Sequence, residues 1–314
     1  MKTTRTVLIL LSLLAGQGLA HAATAYETKL SQEFWYNLRN DKVDDMRKWT
    51  SKTKGYLLLG GAFSPNRNHF YKKLGMAGIM FSSINGGSND FRLSTAPYIA
   101  DTLTFATLAH KTAAPGDGFS QRMYLTYNFL VMSVLFNDKA GVMKAIDDIV
   151  AEANKPQYSP VQKPVFYEVL ATLLLTAKDP ALVQIGVDYF EQSLALIRNC
   201  TSQDCVDAAT LAPFYEVVNL ISIGEGYAML NLPMQSTAYL NEAVALATEK
   251  NWPYLNQFLA YRQGITAKFS TATQVTNPWP TGFKNEQPFL FNHENGCRYC
   301  HVTQTVIPTR YMPK

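Results

Sequence analysis

The feature of this 314-residue sequence that most limits its fold is a long region in which apolar residues recur every three or four positions. The region runs from about Met123 to Phe269, and this spacing places apolar side chains on one face of a helix. It therefore predicts successive helices with almost no sheet. The predicted helices span 123–136, 140–153, 164–176, 180–198, 207–230, 233–250 and 253–269.

Parts of this region are copies of one another. Phe166-Tyr-Glu-Val recurs as Phe214-Tyr-Glu-Val, 48 residues later, and the segment 189–196 resembles 239–246, 50 residues later. A period near fifty with two helices per copy is typical of an α-solenoid and resembles tetratricopeptide arrays, although the unit is longer. We expect an all-α fold, an α-solenoid of stacked antiparallel helix pairs over residues 23–270, with both phenylalanines in its core.

The first third of the chain is less regular. Residues 33–49 read as an amphipathic helix, and glycine-rich breaks at 57–61, 84–88 and 114–118 separate shorter helical pieces. No phosphate-binding loop, nucleophile elbow or His-Glu-x-x-His zinc motif is present, so no catalytic residues are assigned. The formal charge of +4 comes without a concentrated basic face, so nucleic acid is not an expected partner.

The N-terminus has the pattern of an export signal. Lys2 and Arg5 precede an apolar run at 7–15, and Ala20-His-Ala22 offers small residues at a cleavage site. The run is too short to span a bilayer, and no later stretch reaches eighteen apolar residues. We expect a signal peptide at 1–22 and a mature protein that is periplasmic or secreted and does not span a membrane.

Cys200 and Cys205 lie in a short polar segment between two predicted helices. In an exported protein we expect them to form a disulfide that staples this connection. The alternative is a redox-active pair, which usually has closer spacing and a helix start that stabilises the thiolate.

The other two cysteines belong to Cys297-Arg-Tyr-Cys300-His301, which has the C-x-x-C-H pattern. Two thiols at this spacing reach the two vinyl groups of a haem, and the adjacent histidine then lies below the iron. Zinc would need two further ligands, and nothing around position 297 reads as the βαβ unit of a thioredoxin-like dithiol. The motif resembles that of the c-type cytochromes, which implies one covalent haem c with His301 as the proximal iron ligand.

The motif lies in a Pro-rich C-terminal segment, residues 271–314, which we expect to be extended. Only 13 residues follow His301, too few for a compact cytochrome domain. The haem must therefore lie against the helical body, a partner or a second copy of the chain. We expect Phe291 and Tyr299 to cover it, together with neighbouring apolar residues of the same segment: Phe283, Phe289 and Leu290.

The distal iron ligand stays open between several residues. Met312 is the first choice because it is the one soft ligand beyond His301 and is far enough along the chain to turn back. The alternatives are three histidines and a ligand from outside the chain. The histidines are His293, His110 and His69.

Two functions follow. The first is a periplasmic mono-haem cytochrome that exchanges single electrons with a redox protein partner. The alternative is a helical-repeat assembly protein whose haem-bearing tail docks on a partner or a neighbouring copy, which would give homo-oligomers or filaments. A haem enzyme is a weaker third option, since an electron carrier fits better than a catalyst.

Overall fold

The structure is a computed structural model and describes residues 25–38, 40, 42–85, 91–176, 179–211, 213–271 and 289. Within these residues every regular element is helical and none is a strand, which confirms the all-α prediction. In the same part of the chain, no helix has the length and apolar character that crossing a membrane requires.

The array contains twelve described α-helices. They are α1 (25–38), α2 (Val43–Leu58), α3 (Arg67–Asn85), α4 (Phe91–Lys111), α5 (Gly118–Leu130), α6 (Lys139–Ala153), α7 (Gln162–Thr176), α8 (Pro180–Arg198), α9 (Gln203–Leu211), α10 (Tyr215–Met229), α11 (Pro233–Glu249) and α12 (Leu255–Thr271). A short 3₁₀ helix, Gly61–Phe63, precedes α3, and a π-helical turn, Val131–Leu135, extends α5.

Two predicted helices are each divided in the structure. The helix predicted at 33–49 is interrupted near Lys42, between α1 and α2, and the one predicted at 207–230 is interrupted at Pro213, between α9 and α10. Proline has no N–H group for the helix ladder and restricts the residue before it, so the second break has a local cause. The helix predicted from Met123 begins earlier, at Gly118, because the Asp117 side chain caps it by accepting a hydrogen bond from the Ser120 N–H at 3.1 Å.

The helices pack as neighbouring pairs, which gives the solenoid-like arrangement. The most extensive pairings join α3 with α4, α7 with α8, and α10 with α11. Short connections make the partners antiparallel. In addition α3 contacts α5, α5 contacts α7, and α7 contacts α10, so these first helices of successive pairs form one layer of the array.

The apolar core is continuous along the array and has two parts that meet at α7. The first part extends from Leu30 to Leu174 and the second from Ala171 to Phe289. Neighbouring positions on α7 therefore face different parts of the core, and α7 joins the N-terminal and C-terminal helices.

The structural repeat has a different register from the sequence repeat. Pro180 and Pro233, which begin α8 and α11, are 53 residues apart, whereas the Phe-Tyr-Glu-Val copies are 48 residues apart. Phe166 lies inside α7 and contacts Tyr158, while Phe214 lies just before α10 and contacts Trp252. Both phenylalanines are buried, as expected, but their environments are not equivalent, so the predicted period of about fifty is corrected to 53.

The disulfide prediction is confirmed. Cys200 and Cys205 are bonded, with their Cα atoms 6.1 Å apart. Cys200 follows α8 and Cys205 lies in the first turn of α9, so the bond closes the connection between these helices.

Candidate functional site

Most of the predicted haem site lies outside the described residues. This applies to the attachment motif, to its expected apolar cover and to two of the candidate distal ligands: Cys297, Cys300, His301, Phe291, Tyr299, Met312 and His293. The structure does place Phe289, which lies eight residues before Cys297, and two histidines of the body.

Phe289 is fully buried against the helical body. Its ring centroid lies 6.0 Å from that of Trp252, 5.7 Å from Phe258 and 5.3 Å from Tyr261. Trp252 precedes α12 and the other two rings lie on it. The expectation that Phe289 covers a haem is therefore corrected: the body encloses its ring, and the residue anchors the C-terminal segment.

Glu225 holds the backbone of the same anchor. This α10 carboxylate is fully buried, and its Oε1 accepts a hydrogen bond from the Phe289 N–H at 2.6 Å. Burial raises the pKa of Glu225 to about 7, while the hydrogen bond from Phe289 and the Tyr261 hydroxyl act in the opposite direction. The anchor thus combines an aromatic pocket with a polar contact to the main chain.

His110, in the last turn of α4, has a fixed ring orientation. Its Nδ1 lies 2.7 Å from Oε1 of Gln121, and its ring stacks on Tyr124 with centroids 4.3 Å apart. An amide oxygen only accepts hydrogen bonds, so Nδ1 carries the proton and the lone pair lies on Nε2. This is the arrangement that a second-shell partner gives to a metal-binding histidine.

His69, in the first turn of α3, is half-buried. Burial, followed by the charges of Lys73 and Lys72, lowers the pKa of His69, while Asp117 and Glu27 raise it. The neutral imidazole is the form that binds metals. A hydrogen bond of 2.7 Å from the Asn68 side chain to the Ala109 carbonyl joins the start of α3 to the end of α4, so His69 and His110 lie at the same end of the array.

Neither histidine belongs to a metal-binding cluster within the described ranges. No group of three or more His, Cys, Asp or Glu side chains comes together there in an arrangement that could hold a metal ion.

A second buried carboxyl, Glu168, joins three helices. It accepts hydrogen bonds from Ser193 on α8, at 3.1 Å, and from Asn219 on α10. Burial raises the pKa of Glu168 to about 7, and the hydrogen bonds and the Arg122 charge lower it. The sequence analysis missed both buried carboxyls. The signal for Glu225 was a single acid between two glycines in an otherwise apolar helix, Ile221 to Met229.

An open groove of about 470 Å³ lies between α8 and α11, and none of the predicted site residues lines it. Arg198 crosses one part of it and makes ion pairs with Glu216 and Glu242. Glu191 accepts hydrogen bonds of 2.7 Å from the hydroxyls of Tyr227 and Tyr239 in another part. The polar side chains of this groove are thus already engaged with one another.

No protein-family model, curated protein or solved structure matches this chain.

Proposed function

We propose that the mature protein is a periplasmic mono-haem c-type cytochrome that passes single electrons to or from a protein partner. The observation that carries this proposal is the sequence Cys297-Arg-Tyr-Cys300-His301. The two thiols would hold haem c covalently and His301 would bind its iron from the proximal side, and the bound group would supply a one-electron couple.

The Phe289 anchor supports this proposal because it ties the motif to the body. Phe289 is buried in the pocket of α10 and α12, and eight residues separate it from Cys297. A haem exposes more apolar surface than a segment of some 25 residues can cover alone. The anchor keeps the motif close to a large helical surface that can contribute the rest.

Met312 and His110 are the two leading distal ligands. Met312 keeps its place because of its position in the short segment after His301. Among the histidines, the structure favours His110, since Gln121 and Tyr124 hold its ring with Nε2 as the nitrogen that carries the lone pair. His69 and His293 stay as alternatives.

The pyridine haemochrome spectrum and the intact mass of the purified mature protein test the central claim. We expect one covalent haem per chain. Replacing Cys297 and Cys300 with Ala should abolish the haem stain, whereas replacing Cys200 and Cys205 with Ser should preserve it. A stain that survives in the Cys297/Cys300 variant contradicts the proposal.

The near-infrared spectrum of the oxidised protein distinguishes the distal ligands. A sulfur-to-iron charge-transfer band that disappears in Met312→Ala assigns Met312. If the wild type lacks this band, we expect His110→Ala to convert the low-spin spectrum to high-spin, with His69→Ala and His293→Ala as controls. No change in any variant places the ligand outside the chain.

The assembly alternative has one supporting observation. Phe289 fills its pocket from a segment that leaves the body at Thr271, and a segment of this kind can be exchanged between identical copies by domain swapping. Sedimentation of the holo-protein tests it. Polymers that Phe289→Ala disperses support assembly through this pocket, and a monomeric wild type excludes it.

A further inference from the structure

The loop between α2 and α3 ends in an apolar tip that faces solvent. Leu58 is 86% exposed, and Leu59 and Phe63 are each 90% exposed. Gly60, Ala62 and Pro65 in the same loop are also exposed, and no charged residue occurs from Tyr56 to Pro65. Large apolar side chains exposed together usually mark an interaction surface.

The base of this tip is firmly built. The buried carboxylate of Glu27 accepts hydrogen bonds from the Tyr56 hydroxyl at 2.6 Å, from the Ser64 hydroxyl, and from the Asn66 amide at 3.0 Å. These three donors lie on both sides of the loop. The protein therefore spends a buried carboxylate on holding a loop whose apolar side chains contact nothing in the body.

Basic residues surround the tip. Residues 46–89 contain seven Lys and Arg and no Asp or Glu, a local excess that the whole-chain charge of +4 does not reveal. Lys54 lies one turn before Leu58 and pairs with Asp101 at 2.7 Å. Arg67 begins α3, and the exposed Lys111 ends α4 at the same end of the array.

We propose that Leu58, Leu59 and Phe63 insert into the surface of an anionic lipid bilayer, with Arg67 and Lys111 contacting the headgroups. The tip is convex, and its side chains can enter the interfacial layer to a depth of about 5–10 Å without taking a charge with them. Juxtaposed Lys and Arg are attracted to anionic headgroups within a Debye length. This inference is independent of the haem proposal.

Vesicle flotation of the mature holo-protein tests the proposal. We expect the wild type to float with vesicles of phosphatidylcholine containing 30% phosphatidylglycerol. The variant Leu58→Ser/Leu59→Ser/Phe63→Ser should lower the partition coefficient at least about tenfold. Met234→Ser is the matched control, since Met234 is 83% exposed at the start of α11 and should not affect binding.

A charge variant separates the two contributions. Arg67→Gln/Lys111→Gln should lower binding to the anionic vesicles by about fivefold for each charge. It should leave binding to pure phosphatidylcholine unchanged. Circular dichroism of each variant shows whether the helices are retained, and we expect all of them to keep the wild-type spectrum because the substituted side chains are on the surface.

Two results overturn the proposal. One is a wild type that stays in the bottom fraction with anionic vesicles, or a tip variant that floats as well as the wild type. The other is wild-type self-association without vesicles that the tip variant abolishes, which assigns the tip to a contact between copies of this chain.

Discussion

At the scale of single residues, Glu225 is the buried group whose chemistry reaches furthest. It is fully buried on α10, its hydrogen bond holds the Phe289 backbone, and burial raises its pKa to about 7. The unfolded chain presents the same carboxyl to water, with a pKa near 4.5. Between these two values the folded protein keeps a proton that the unfolded chain has lost, so this residue makes stability fall as the pH rises.

The substitution Glu225→Gln tests this linkage. Glutamine resembles the protonated acid, so the stability of the wild type relative to the variant should fall by about 3 kcal/mol as the pH rises from 4.5 to above 7. Urea unfolding at several pH values measures the difference. Glu242→Gln, on the exposed face of α11, is the control and should show no comparable pH dependence. A constant difference between the wild type and Glu225→Gln would show that the carboxyl is ionised in the folded protein.

At the scale of helices, the sequence predicts an element well where its boundary has a local cause. The predicted span 180–198 is the observed α8, because Pro180 occupies its first turn and the Asp179 side chain caps it. The break at Pro213 was missed because apolar residues continue on both sides of it. The register of the repeat was also missed, since short similar segments recur in helices whose pairing is set by contacts with other helices.

The closest contacts between helices are made at glycines, and Gly226 gives a prediction. A Cβ at Gly226 of α10 would overlap Cγ2 of Val187, which is fully buried on α8. We expect Gly226→Ala to destabilise the protein by about 1–3 kcal/mol because neither helix can move freely.

Gly55, in α2, is the matched control for this prediction. Nothing lies within 4 Å of a Cβ at this position, so Gly55→Ala should stabilise the protein by about 0.5–1 kcal/mol through helix propensity. Thermal unfolding of the two variants gives the comparison. Equal effects of the same sign would contradict the packing between α8 and α10.

At the scale of the whole molecule, the anchor that ties the C-terminal segment to the body could not be predicted from sequence. Glu225 and Phe289 are 64 residues apart, and neither belongs to a motif that indicates the other. The haem motif itself is a local pattern and could be recognised directly. Local chemistry was therefore predictable here, whereas its attachment to the body depends on a long-range contact.

Phe289→Ala tests the anchor. Removing the ring leaves the aromatic pocket unfilled and weakens the hold on the segment, so trypsin should cut more rapidly at Lys284 and Arg298. Circular dichroism should show that the helices are retained. Phe63→Ala is the control, because Phe63 is 90% exposed and its loss should not change the cleavage rate. An unchanged rate in Phe289→Ala would mean that other contacts hold the segment.

The buried Phe289 also limits the volume in which the proposed haem can be found. His301 follows Phe289 by 12 residues, so covalent geometry alone keeps it within about 43 Å of the pocket. A group confined to such a volume has a local concentration in the millimolar range, however dilute the protein is. A redox partner that docks on the C-terminal helices needs little affinity for the haem itself. Substitutions on the partner's contact with the body should therefore slow electron transfer more than substitutions on its contact with the haem.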